Sequence, residues 1–376
     1  MSDAVDVAGR VAEVSAAFGA DRKERQVRRE LHKEDFESLA AAGFLLTGVP
    51  VEMGGLWDGI ASSTRPIAEI LRTLARGDPS VALVSSMHPA VLSFWLATPD
   101  DHGPAWEAQR TAVARSAVDG CWWGTITSEP GSGGDVQKTK TAAVRDGDVW
   151  RLTGQKHFGS GSGVTSFMIT TALPEGEEKP DWFTIDVRDA PWDGSTGIRL
   201  IAPWDGHGMT ATQSHGFSFE GVAAERMGWQ ANLETIALNA GPFISTVFAA
   251  VILGVVDEAI ATARTEIAPR SSELRAYEQV EWVQAETEAW SAEQIFEGML
   301  RAVETRPDPH RYVVMGKTAI AALAESVLRR LCRIIGGGTF ARRSPFGFWF
   351  EDVRALGFLR PPWPLATDAL AATAWG

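Results

Sequence analysis

Residues 126–135 read Ile-Thr-Ser-Glu-Pro-Gly-Ser-Gly-Gly-Asp, and residues 152–161 read Leu-Thr-Gly-Gln-Lys-His-Phe-Gly-Ser-Gly. The first reads as a strand that runs into a glycine-rich turn. Its backbone amides and the Thr127 and Ser128 hydroxyls can hydrogen-bond a polar, planar ring. The second reads as another strand, in which Phe158 can pack on such a ring and Ser160 can donate to it. Taken singly, each is also an ordinary β-turn with Gly and Ser in their usual places. The surroundings are β as well. Ala142–Arg145 and Val149–Leu152 flank Asp146-Gly147, the strongest short hairpin cue. Phe183, Ile185 and Val187 alternate with Thr184, Asp186 and Arg188, and Phe217 and Phe219 repeat the alternation. Pro174 to Pro180, rich in Glu, reads as an exposed loop. No Rossmann or Walker glycine loop occurs here, so a nucleotide would be held in another way.

Outside this β stretch the apolar period is helical. Phe36, Leu39, Ala40 and Phe44 recur at spacings of three and four, with Gly43 placed to end the helix. After a loop from Val49 to Gly55, Ile67, Ile70, Leu71 and Leu74 continue the period. Asp78-Pro79 breaks it and offers a new helix start. Ser80 to Ala97, which contains His88, is apolar enough to be buried. Beyond Met227, Ile320, Leu323, Val327, Leu331 and Ile334 form one stripe that ends at Gly336-Gly337-Gly338. Pro361, Pro362 and Pro364 argue against helix near the end. The predicted class is α+β by segregation, with a helical domain over 1–118, a β domain over 119–225 and a helical bundle over 226–376.

Composition narrows the function. The 376 residues carry 35 Lys+Arg against 48 Asp+Glu, a formal net charge of −13, which argues against nucleic-acid or anionic-membrane partners. Thr235 to Val256 is uncharged over spanning length, but polar residues and Pro242 interrupt it, and Asp257-Glu258 follow without a basic flank. A buried bundle helix is expected. Cys121 and Cys332 build no disulfide framework, and the start of the chain shows no secretory signal, so a cytoplasmic location is expected. His207 and His215 lack a third ligand, and no metal is expected.

Together and in this order, the motifs resemble the acyl-CoA dehydrogenase superfamily. The resemblance rests on Val49–Gly55, Ser128–Asp135, Gly154–Phe158, Ile335–Gly338 with Pro345, and Phe350–Arg354. It implies a helical domain, a β-barrel-like domain and a four-helix bundle, usually as a homotetramer binding flavin. By the resemblance, Thr125, Thr127 and Ser128 would line the flavin pyrimidine and N5 side, and Phe158, Gly159 and Ser160 would lie against the ring. Gly337, in the glycine run, joins the cofactor-binding set. Arg342, beside Arg343, could meet a flavin phosphate from a neighbouring subunit. The family's usual pyrophosphate arginine motif is not recognisable, which leaves FAD and FMN both open.

Two branches of the superfamily then diverge. Its dehydrogenases need a carboxylate base, yet Ala355–Trp363 contains none. Glu234, in a Leu-Glu…Gly-Pro context, is the alternative candidate base for an acyl-thioester. The other branch comprises the two-component flavin monooxygenases, such as dibenzothiophene and amine or indole hydroxylases. These take reduced flavin from a separate reductase and hydroxylate small molecules through a C4a-(hydro)peroxyflavin. The lost Glu, the small Gly159-Ser160-Gly161 patch, His88 and Phe348–Phe350 resemble that branch, although Arg360 stands where a His is expected. On this reading His88 would protonate or steady the peroxide, the alternative for it being a satisfied core histidine at a helix end, and Ser160 and Arg360 would share the site. A degenerate, non-catalytic flavoprotein is the third reading.

Overall fold

The computed structural model describes residues 2–99 and 101–375, the first four as backbone only. The chain begins with helices α1 (Ser2–Ala20), α2 (Arg22–Arg25), α3 (Lys33–Ala41), α4 (Gly59–Gly77), α5 (Pro79–Leu96) and α6 (Pro104–Val118). Strands follow: β1 (Trp123–Thr125), β2 (Ala142–Asp146), β3 (Val149–Gly159), β4 (Phe167–Pro174), β5 (Asp181–Asp186), β6 (Ile198–Ala202) and β7 (His215–Arg226). The remainder is helical again, in α7 (Leu233–Ile267), α8 (Ala276–Thr305), α9 (His310–Ile335), α10 (Pro345–Val353) and α11 (Trp363–Ala372). The order of classes expected from the sequence, helices then strands then helices, is the order observed.

The strands close on themselves. β4 pairs in parallel with β2, β2 antiparallel with β3, β3 with β7, β7 with β5, and β5 with β4 again. β1 joins in parallel beside β4, and β6 lies along β7. Closure leaves no free edge in that ring. Its interior is filled by Leu152, Phe183, Ile185 and Phe219, the inward half of the alternation read from the sequence. The hairpin turn falls at Gly147, whose φ of 62° suits glycine.

Helices from both ends of the chain share one apolar core. α5 lies at its centre, almost wholly buried. Asp78 caps it by accepting from Val81 N at 3.0 Å, and Arg25 Nε holds the same carboxylate at 2.8 Å. α7 is anchored to the barrel where Trp182 Nε1 donates to Leu233 O at 2.9 Å. α5 and α7 are both long and apolar enough to cross a membrane, and both are covered mostly by the rest of the protein. One expectation fails. Pro361, Pro362 and Pro364 do not prevent helix: α11 begins at Trp363, with Pro364 in its first turn, where the missing N–H has no partner to lose.

Candidate active site

A cavity of about 1030 Å³ opens between the barrel, α5, α7, α9 and the C-terminal segment. That exceeds what one drug-sized ligand needs. Its two walls differ in chemistry. The barrel wall is polar and aromatic, built from Thr125, Thr127, Ser128, Phe158, Ser160 and Trp204. The helical wall is mostly apolar, with Met87 and Phe94 from α5, Ala237 and Phe248 from α7, and Val313 from α9, interrupted by Glu234, Ser245 and His310.

The register of two strands assembles the polar wall. Thr125 lies opposite Ser160 and Ser128 opposite His157, with His157 N donating to Ser128 O at 2.8 Å. The two motifs read separately in the sequence are therefore neighbours. Beneath them, Lys156 is fully buried, and its Nζ donates to Glu129 Oε1 at 2.6 Å, Thr139 Oγ1 at 2.9 Å and Thr171 Oγ1 at 3.2 Å. Glu129 also accepts from Lys140 N at 2.6 Å and Thr141 N at 3.1 Å. Burial raises the Glu129 carboxyl, but Lys156 and these donors outweigh it and hold the group at about 2. The Glu and Lys of the two motifs are thus a barrel fastener.

Phe158 sits at φ 59°, uncommon for a bulky residue, is 58% exposed as a residue, and holds its ring edge-on to Trp204 at 6.2 Å. Backbone held this way commonly marks a functional surface. Ser160 begins a directed chain of hydroxyls. Thr212 Oγ1 donates to Met209 O at 2.9 Å, so it accepts from Ser214 Oγ at 2.8 Å, which in turn accepts from Ser160 Oγ at 2.8 Å. Each hydroxyl has one hydrogen, so Ser160 faces the cavity as an acceptor. This reverses the donor role that the sequence suggests for Ser160.

Other expected residues fare differently. His88 does not line the cavity. It is fully buried, its Nε2 donating to Leu45 O at 3.0 Å and its Nδ1 accepting from Trp123 N at 3.3 Å. Burial lowers it to about 4, so it is a neutral core histidine that ties the loop before Val49 to β1. Gly159 is absent from the lining too. A Cβ there would meet Ile126 Cδ1 at 2.8 Å, and one at Gly161 would meet Val84 Cγ1 at 2.9 Å. These glycines are small because the barrel and α5 close on them, so they open no space in the cavity. Glu234 is exposed at the rim, in the first turn of α7. Gly337 and Arg342 are exposed outside the cavity. Arg360 lines it, with Nη2 donating to Thr127 Oγ1 at 2.7 Å. Trp204, Thr212 and Ser214 escaped the sequence reading. The alternating hydroxyls of Thr210, Thr212 and Ser214 are the signal that could have exposed them.

Residues 124–222, the barrel, match the acyl-CoA dehydrogenase middle domain. A dibenzothiophene monooxygenase of Mycolicibacterium goodii is 29% identical over 245 residues, which span 61% of this chain and 55%, about half, of that relative. The putative acyl-CoA dehydrogenase YdbM of Bacillus subtilis (strain 168) is 24% identical, over 88% of this chain and 86% of its own. Among solved structures, KijD3 in complex with FMN and a dTDP-linked amino sugar superposes with a TM-score of 0.83 at 19% identity, covering 100% of this chain and 94% of that one. Residues 124–222 thus match an acyl-CoA dehydrogenase middle domain, and the whole chain shares its fold with a glutaryl-coenzyme A dehydrogenase, at a TM-score of 0.82 and 16% identity over 100% of this chain and 95% of that one.

Proposed function

We propose that this protein is a reduced-flavin-dependent monooxygenase that hydroxylates an apolar, aromatic or amine small molecule. The state of the cavity's carboxylates carries the reading. Glu129 is locked to Lys156 and held near 2. Asp135 accepts from Gln137 N at 3.0 Å and lies 3.6 Å from Lys138 Nζ. Glu351 is paired with Arg354, and Glu234 stands exposed at the rim. None is the enclosed, unpaired carboxylate that proton abstraction from a thioester needs. Oxygenation needs no such base. The name of the Mycolicibacterium relative and the FMN of KijD3 support the same branch.

The cavity fits a flavin: its volume leaves room for a substrate beside a flat ring, and the barrel wall offers that ring hydroxyls and an aromatic face. Thr125, Thr127 and Ser128 would meet the ring's polar edge, Phe158 its face, and Ser160 would accept a hydrogen bond from it. Bound reduced flavin, FMN or FAD, supplies the chemistry of oxygen activation. The apolar wall excludes water and holds the substrate. A separate reductase would deliver the flavin, and the working form would be a cytoplasmic homotetramer built through residues 227–376. Gly337 and Arg342 would then serve only a neighbour's flavin.

Anaerobic mixing of flavin-loaded protein with a panel of acyl-CoAs tests the reading. The flavin should stay oxidised, and oxygen-dependent product should appear once a reductase and NAD(P)H are supplied. Prompt bleaching by a thioester, abolished in Glu234→Gln, would establish the dehydrogenase instead.

A further inference from the structure

Two arginines line the cavity, and they differ in pairing. Arg354 is bound by Glu351, whereas Arg360 makes no ion pair among the described residues. A guanidinium has five N–H donors. For Arg360 the protein takes one, at Thr127 Oγ1. Asp135 acts on it only through space, its own carboxylate lying against Gln137 N and Lys138. Burial lowers Arg360 to about 10, so it remains a cation at neutral pH. Arg360 is half-buried, and a charge drawn partly out of water without a counter-ion is costly.

The main chain around Arg360 is fixed. Lys317 is buried on α9, and its Nζ donates to Leu356 O at 2.8 Å and to Leu359 O and Pro361 O at 2.9 Å each. Three donors meet three carbonyls, on both sides of residue 360. Burial pushes the Lys317 ammonium down to about 7. The arginine is thereby held against the barrel at the seam between the polar and apolar walls.

We propose that Arg360 binds the carboxylate of the substrate, making the ligand class an apolar small molecule with a single negative charge. The proposal deepens the reading of this cavity as a small-molecule active site. A planar carboxylate matches the guanidinium fork, and the carbon skeleton would lie on the α5–α7 wall. A single charge follows from a single unpaired arginine among the described residues that line the cavity. Glu234 and Asp135 line the same cavity, and a second negative charge on the substrate would meet both without a second unpaired cation among the described lining residues.

Calorimetric titration of the full chain, with and without FMN, tests this. The probes are benzoate, phenylacetate and naphthoate, each paired with its uncharged amide. At least one acid should bind about tenfold or more tighter than its amide, since hydrogen bonds to charged groups are the strong ones. Arg360→Met should erase that preference and leave amide affinity within about twofold, while Arg360→Lys should keep part of it, because an ammonium lacks the fork. If Arg360→Met does not fold, reduction of the preference in Arg360→Lys decides the matter. No acid preference in any pair overturns the proposal, as does a preference that survives in both variants. So does a variant that weakens FMN binding yet keeps the preference. Binding is read without turnover, so failure of oxygen-dependent product formation would strike the monooxygenase reading alone.

Discussion

At the scale of single residues, the same side chains were legible in kind and misleading in role. His88 was visible as a histidine inside an apolar helix, but no sequence signal said that both ring nitrogens would meet backbone. Its folded pKa of about 4 lies below its ordinary 6.5. The unfolded chain therefore takes the proton first, and the stability that neutral His88 contributes is lost as pH falls from 6.5 through 4. The cost approaches on the order of 3 kcal/mol near pH 4. Chemical denaturation of wild type and His88→Gln across that range should show the wild type losing more stability, with equal oxygenation by both at pH 7.5 after correction for folded fraction. An oxygenation loss of a hundredfold in the variant would return His88 to the chemistry. Glu129 and Lys156 give the second prediction. Removing one member of a buried pair strands the other, at a typical cost of about 3–5 kcal/mol. Lys156→Met should therefore lower the thermal midpoint sharply, and calorimetry showing an unchanged midpoint would remove the fastener assignment.

At the scale of elements, periodicity was a good guide to helices and a poor one to what the loops between them do. The stripe from Ile320 to Ile334 predicted α9, yet nothing in it marked Lys317, one turn earlier, as the clasp of a distant segment. Such a bond joins residues about forty apart, and sequence spacing carries no trace of it. The three C-terminal prolines were read as breakers because position within a helix decides their effect, and the start of α11 could not be located beforehand. Gly159 and Gly161 show the same limit, since their smallness answers to Ile126 and Val84 rather than to the cavity. Two outcomes follow. Lys317→Met should leave the Leu356, Leu359 and Pro361 carbonyls without their donor, so amide exchange over 354–362 should rise well above that of α9; equal protection would mean the segment holds itself. Gly159→Ala should cost about 1–3 kcal/mol through overpacking, seen as a lower denaturation midpoint, with turnover per folded molecule unchanged.

At the scale of the whole molecule, the segregation of helix, barrel and helix followed from where period two replaced period 3.6, and the structure keeps that order. What composition could not supply was the distribution of apolar surface. The described surface includes Tyr277, Val280, Val283 and Trp290, all on α8 and all more than half exposed, and Phe340 at 94%. An apolar stripe of this kind on one helix is costly in water and is typical of a face that meets another chain. It lies within 227–376, the region expected to build the tetramer, and Phe340 belongs to the same turn as Gly337. Light scattering at micromolar concentration should therefore give a tetramer, and Val283→Glu with Trp290→Glu should give a smaller species. The cofactor makes the test sharper. Arg342 is exposed outside its own chain's cavity, so it can contribute to flavin binding only across an interface. Arg342→Ala should weaken FMN binding in the tetrameric wild-type background and have no effect in the dissociated double variant. A monomeric wild type, or an equal loss in both backgrounds, would remove the inter-subunit role of Arg342.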